Sequence, residues 1–167
     1  MFLEVDIRDV KKNMIKAISD EWMLISAGDA QKSNMMTASW GLIGELWFRD
    51  VAVCFIRPQR YTMGFVEEND SFALCFFGTQ QKQALSFCGS NSGRDYDKIK
   101  ETGLTPVYSD GTVYFEEAQL VLICKKIAVS KIKPEQIVEP AVLARCYPEK
   151  DYHKVFVGEI VKVLENK

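Results

Sequence analysis

Short apolar runs set the limits on what this chain can fold into. Trp22 to Ala27 (WMLISA), Val51 to Ile56 (VAVCFI), Phe72 to Phe77 (FALCFF) and Leu120 to Cys124 (LVLIC) carry almost no polar residue. Runs this short suit strands with both faces covered, not bundle helices. Val113 to Ala118 and Val155 to Leu164 (VFVGEIVKVL) alternate, as half-buried strands do. Leu3 to Val10 and Ala128 to Ile132 are read as further strands. Between them the helical patterns are brief: Asn13 to Ile18, a segment opening at Pro58, Gln80 to Phe87, and Asp97 to Thr102 with Gly103 as its stop. Ala30 to Asn34 reads as a polar turn, Met35 to Leu46 as one strand bent at Gly41 and Gly44, and Cys88 to Asp95 as a loop. Strands not separated by regular long helices argue against a doubly wound parallel sheet. The expected class is mainly β, an antiparallel Greek-key-type barrel with helical inserts. No repeat, low-complexity tract or linker divides the chain, so residues 1–167 are expected to form one domain.

The totals exclude several partners. With 21 basic and 23 acidic residues the formal charge is −2, which offers neither nucleic acid nor an anionic membrane surface a reason to bind. No apolar run nears the roughly 20 residues that span a bilayer. Five scattered cysteines without a CxxC spacing fit neither a disulfide framework nor a structural zinc site, and no histidine pair exists for a catalytic one. No metal is expected. Glu4, Asp6 and Asp9 near the N-terminus do not resemble a signal peptide, so a reducing, cytoplasmic setting is expected.

Three polar segments stand out. In Asn34 to Gly41 (NMMTASWG), Thr37 and Ser39 fall on one side of a strand, where both hydroxyls can reach one ligand, or remain surface hydroxyls. In Arg57 to Thr62 (RPQRYT), two arginines follow a strand and open a helix. That arrangement suits phosphate, or a capped helix with solvated arginines. Cys88 to Lys98 (CGSNSGRDYDK) is glycine-bearing and ends at a helix start, but has neither P-loop nor dinucleotide spacing. His153 is the only histidine, and no GxSxG elbow accompanies it.

Taken in order, NMMTASWG, VAVCFIRPQRYT, FVEENDSFAL, CGSNSGRDYDK with KETGLTP, and HKVFVGEIV resemble the flavin reductase-like family, in particular its flavoredoxin-like branch. The resemblance runs from about Leu24 to Leu164. It implies a split β-barrel that holds FMN in a groove at the interface of a homodimer. Met35, Met36, Thr37, Ala38 and Ser39 would lie along the flavin, with Trp40 supporting the strand. Arg57, Arg60, Tyr61 and Thr62 would lie near the ribityl chain and phosphate. Cys88, Gly89, Ser90, Ser92, Arg94, Asp95 and Lys98 would complete the site. His153 would approach the ring, from either subunit, and Cys54 would neighbour it; these two are the residues expected nearest the chemistry. Arg94 departs from the residue often found at its position in the family, which bears on phosphate or nicotinamide contact.

The activity so implied is an FMN-dependent oxidoreductase that passes electrons from NADH or NADPH to a flavin, a ferric chelate or a protein acceptor. The alternative is a non-enzymatic FMN electron carrier reduced by a partner protein. A ligand-free interaction protein and a hydrolase built on Cys88 or Ser90 with His153 are more distant readings. The three Trp, six Tyr and ten Phe, too many for one small core, are consistent with a dimer.

Overall fold

The computed structural model describes residues 1–167. Ten strands carry the fold: β1 (Phe2–Glu4), β2 (Met23–Gly28), β3 (Ser33–Ala38), β4 (Gly41–Leu46), β5 (Arg49–Ile56), β6 (Ser71–Phe76), β7 (Pro106–Ser109), β8 (Thr112–Phe115), β9 (Leu120–Lys131) and β10 (Lys154–Asn166). Five short helices interrupt them: α1 (Met14–Lys16), α2 (Thr62–Glu68), α3 (Lys82–Ser90), α4 (Lys98–Thr102) and α5 (Pro140–Cys146). A π-helical turn, Ala17–Glu21, extends α1. The main sheet runs β3-β2-β6-β9-β10-β5-β4, with β1 on β10 and a separate β7-β8 pair. Every pairing is antiparallel. This is a mainly β split barrel.

Strand periodicity explains why three of the apolar runs are continuous. In β2, Met23, Ile25 and Ala27 enter one core cluster while Leu24 enters a second on the opposite face. In and just after β6, Phe72, Leu74 and Phe76 face the first cluster and Ala73, Cys75 and Phe77 the second. Along β9, Leu120, Leu122 and Cys124 alternate in the same way with Val121 and Ile123. Successive side chains point to opposite faces, so a strand covered on both sides must be apolar throughout. β5 differs: Ala52, Cys54 and Ile56 are buried, while Val53 and Phe55 are half-exposed.

The expected single strand over Met35 to Leu46 is two strands. β3 pairs with β2 and β4 with β5, at opposite ends of the sheet. Ser39-Trp40 therefore crosses the split between them. Gly41 admits the crossing: a Cβ there would meet the Met23 side chain at 2.9 Å and the Val53 carbonyl oxygen at 3.3 Å. Other boundaries also moved. β3 starts at Ser33, inside the expected turn, and Pro58 lies in a turn that precedes a helix starting only at Thr62. Helix α3 runs on to Ser90, so Cys88, Gly89 and Ser90 are helical and not loop. Leu120 to Cys124 and Ala128 to Ile132 belong to the one long β9, apart from Ile132. The helix ending at Gly103 is as expected, with Asp97 accepting the Lys100 N–H as N-cap and Gly103 left-handed at φ 69°. No helix is long and apolar enough to cross a membrane.

Candidate functional site

Where the chain leaves β3 to cross the split, its backbone loses the neighbouring strand, and a cavity of about 250 Å³ opens there. Met36, Thr37, Ala38, Ser39 and Trp40 line it along the crossing segment, and Phe55, Arg57, Arg60 and His153 close it. Met35 is buried behind, and its carbonyl accepts from Lys98. Ser39 also reaches a smaller cavity with Trp22, Thr37 and Gly89, so the two hydroxyls do share one space. The Thr37 hydroxyl is already used, however, donating to the Leu85 carbonyl.

A second cavity, of about 200 Å³, shares Arg60 with the first. Tyr61, Thr62, Ser90, Ser92, Arg94 and Lys98 line it, together with Gln59, Asn91 and Gly93. Its charge is one-sided. The ion pairs of the chain are Arg8–Asp50, Lys12–Glu21, Arg49–Glu159, Arg57–Asp151, Lys154–Glu67 and Lys162–Asp110. Arg60, Arg94 and Lys98 take part in none of them. Lys98 is only 4% exposed, and its Nζ donates to the Met35 and Cys88 carbonyls at 2.9 Å each. Burial, with the Arg60 charge adding to it, pushes its pKa down to about 8. Arg60 donates to the Gly89 carbonyl at 2.8 Å and to that of Cys88 at 3.2 Å, and burial lowers its pKa also. Arg94 stacks over Tyr61, 4.7 Å from the ring centroid. A buried ammonium without a carboxylate is costly, and an anion in this cavity offsets that cost.

Local packing holds the cationic cavity in shape. Asn34, buried at the start of β3, donates to the Thr62 hydroxyl at 3.0 Å. Gly93 lies against the same side chain: a Cβ there would sit 2.3 Å from Asn34 Oδ1. Only glycine permits this approach.

Arg57, expected near the ribityl chain and phosphate, lines the first cavity and not the cationic one. It pairs with Asp151, donates to the Cys146 carbonyl at 2.9 Å and lies over the rings of Trp40 and Tyr147. Both arginines line the first cavity, but only Arg60 reaches the cationic one as well. Cys54 is also corrected. It is fully buried in the barrel core, lines neither cavity, and burial pushes its thiol up to about 12. Cys88 contributes its carbonyl; its thiol is buried, pushed up to about 11 by that burial, and lines neither cavity. Asp95 is exposed and lines neither cavity.

His153 packs against Trp40, ring centroids 5.1 Å apart, and its Nδ1 lies 2.9 Å from the Tyr147 hydroxyl. Burial, and then the Arg57 charge, push its pKa down to about 4, against the opposing pull of Asp151. The ring is therefore neutral at physiological pH. Sequence reasoning missed Phe55, Gln59, Asn91, Gly93 and Tyr147. Phe55 was hidden inside an apolar run, Gln59 and Gly93 meet partners remote in sequence, and Asn91 and Tyr147 cap helix ends with no motif of their own.

The fold and the two cavities define a split barrel with an aromatic-lined pocket beside a cationic one, Arg60 lining both. The chain belongs to the family described as the flavin reductase like domain, whose model matches residues 15–167. No curated protein matches the chain. Among solved structures, it is similar to a flavoredoxin from Methanosarcina acetivorans, with 21% identity, TM-score 0.70, and 88% of this chain and 69% of that one covered. It is also similar to an FMN-binding domain of a flavin reductase-like enzyme from Shewanella baltica OS155 (18% identity, TM-score 0.70, 99% and 77% covered). An FMN-binding protein from Thermus thermophilus, solved with bound 1-cyclohex-2-enone, matches at 22% identity and TM-score 0.68, with 86% and 69% covered.

Proposed function

We propose that the chain is an FMN-binding oxidoreductase that draws electrons from NADH or NADPH and passes them to a flavin, a ferric chelate or a protein acceptor. The observation that carries FMN is the junction at Arg60. Arg60 lines both a cavity walled by aromatic side chains and backbone and one holding three basic residues without an acidic partner. A planar ring joined to a phosphate monoester matches that order of surroundings. Arg60, Arg94 and Lys98 would hold the phosphate, with the Thr62 and Ser92 hydroxyls as further donors. Met36 to Trp40 would lie along the ring, and the backbone groups on the edge of β3 not paired with β2 would meet its polar edge.

When bound, FMN supplies a ring that takes up two electrons and gives them up singly or together. The residues around it need only orient, desolvate and balance charge. Trp40, Phe55 and Met36 present apolar surface to the cavity. Arg57 and Arg60 place positive charge beside it, which favours a ligand that gains negative charge. His153, neutral, offers a hydrogen bond without adding charge. Purified protein should be yellow and should bleach anaerobically with NADH or NADPH. Bleaching only with a reduced partner protein assigns the electron carrier instead, and a colourless protein that takes up no FMN refutes the reading.

A homodimer is part of this proposal. Leu42, Trp47 and Phe48 on the β4–β5 hairpin are exposed, and Phe48 is 99% so. Trp47 and Phe48 both occupy left-handed backbone, at φ 57° and 60°, where glycine or asparagine is favoured. An apolar groove of about 660 Å³ reaches from Leu42 and Ile15 to the Trp40 and Phe55 side chains of the first cavity. A second copy would cover this surface. A monomeric mass in light scattering at micromolar concentration refutes it.

A further inference from the structure

The Tyr147–His153 pair carries an inference that rests on no sequence motif. Tyr147 ends α5 and is buried, with 5% exposure. The loop that follows is clamped from outside: Arg57 donates to the Cys146 carbonyl and pairs with Asp151, and Gln59 donates to Asp151 at 2.8 Å. Arg57 also lies 5.4 Å from the Tyr147 ring centroid, and the Tyr152 ring lies 5.0 Å from it, tilted by 37°. The tyrosine ring is thus fixed from several directions, and its hydroxyl is set against His153 Nδ1.

Hydrogen-bond satisfaction then decides which nitrogen carries the proton. The Tyr147 hydroxyl has one acceptor within the chain, Nδ1 of His153. If Nδ1 bore the hydrogen, the phenolic O–H would be a buried donor with nothing to donate to, an arrangement native interiors avoid. The hydroxyl therefore donates and Nδ1 accepts, which leaves the hydrogen of the neutral ring on Nε2. Nε2 makes no hydrogen bond within the chain. Nor is it sealed off: the fully enclosed side-chain atoms without a hydrogen bond are Glu21 Oε2 and Asp151 Oδ1, both held in ion pairs. His153 is 5% exposed and lines the first cavity, so Nε2 is reached from that cavity.

We propose that Tyr147 is a positioning residue that locks His153 in the Nε2–H tautomer, so that the cavity is furnished with a neutral N–H donor for an acceptor atom of its ligand. Taking that ligand as flavin rests on the proposed function; the tautomer does not. The donor selects a carbonyl oxygen or an unprotonated ring nitrogen at the place it reaches, and disfavours a ligand that presents N–H or O–H there.

A single histidine makes the test unambiguous. The full chain, labelled with nitrogen-15 in histidine and free of FMN, is observed at neutral pH by long-range proton–nitrogen correlation. The wild type should show one dominant neutral tautomer, with hydrogen on Nε2 and an unprotonated, hydrogen-bonded Nδ1. Tyr147→Phe, with folding confirmed by amide dispersion, should lose that dominance, and the two nitrogen shifts should move toward each other. An Nδ1–H pattern in the wild type overturns the proposal with no variant needed, and so does an unchanged pattern in a folded Tyr147→Phe. Adding FMN to the wild type should shift Nε2 and its hydrogen. An Nε2–H pattern that FMN leaves unmoved upholds the tautomer and removes flavin from its reach.

Discussion

His153 is the only titrating side chain in this protein with an ordinary pKa near 6.5, and burial together with Arg57 holds it near 4 in the fold. Between those values the unfolded chain binds a proton that the folded chain refuses. Stability from this group is fully present above about pH 6.5 and is lost as the pH falls toward 4. The fall from 6.5 to about 4 corresponds to about 3.4 kcal/mol when the loss is complete, and to about 2 kcal/mol already lost at about pH 5. Urea unfolding of the wild type and His153→Gln, at about pH 7.5 and about pH 5, isolates it. Carboxylates titrate in both proteins and cancel. Asp151, the nearest, is held low by Gln59 and Arg57 and titrates beneath this window. His153→Gln loses the Tyr147 partnership and should be weaker at both pH values, but the wild type should lose about 2 kcal/mol more than the variant on acidification, with equal denaturant slopes. A difference under about 0.5 kcal/mol refutes the claim that the fold keeps this ring neutral.

Lys98→Met removes the buried, unpaired ammonium. FMN affinity, read by flavin fluorescence, should fall about tenfold or more, the worth of one charge-assisted hydrogen bond. Riboflavin, which lacks the phosphate, should bind both proteins alike; an equal loss for both ligands refutes the phosphate assignment. Gly158→Ala puts a Cβ 2.7 Å from both Cys124 Cβ and Phe72 Cζ, and should cost about 1–3 kcal/mol in chemical denaturation. Lys126 Nζ donates to the Val66, Glu67 and Asn69 carbonyls at 2.8, 2.8 and 2.9 Å, closing the end of α2. Lys126→Met should therefore speed amide exchange in α2 and cost about 1.5–3 kcal/mol of stability; unchanged exchange there refutes that role.

The amino-acid order alone determined the strands buried on both faces, because a strand covered on two sides has no place for a polar residue. It determined the Gly103 stop by the same kind of local rule, a left-handed residue that glycine supplies without strain. The motifs it displayed hold Arg60, Thr62, Ser92, Arg94 and Lys98, which line one cavity. It did not separate Arg57 from Arg60, nor distinguish Cys54 in the core from Phe55 beside it at the cavity. Those outcomes depend on which face of β5 the barrel closes over and on how the chain turns at Pro58. Tyr147, Gly93 and Asn34 act on partners that the fold brings near: the Asn34–Thr62 bond spans 28 positions of chain. Local chemistry is written into neighbouring residues, whereas a cavity is made of backbone directions and remote approaches, and those exist only once the sheet has closed.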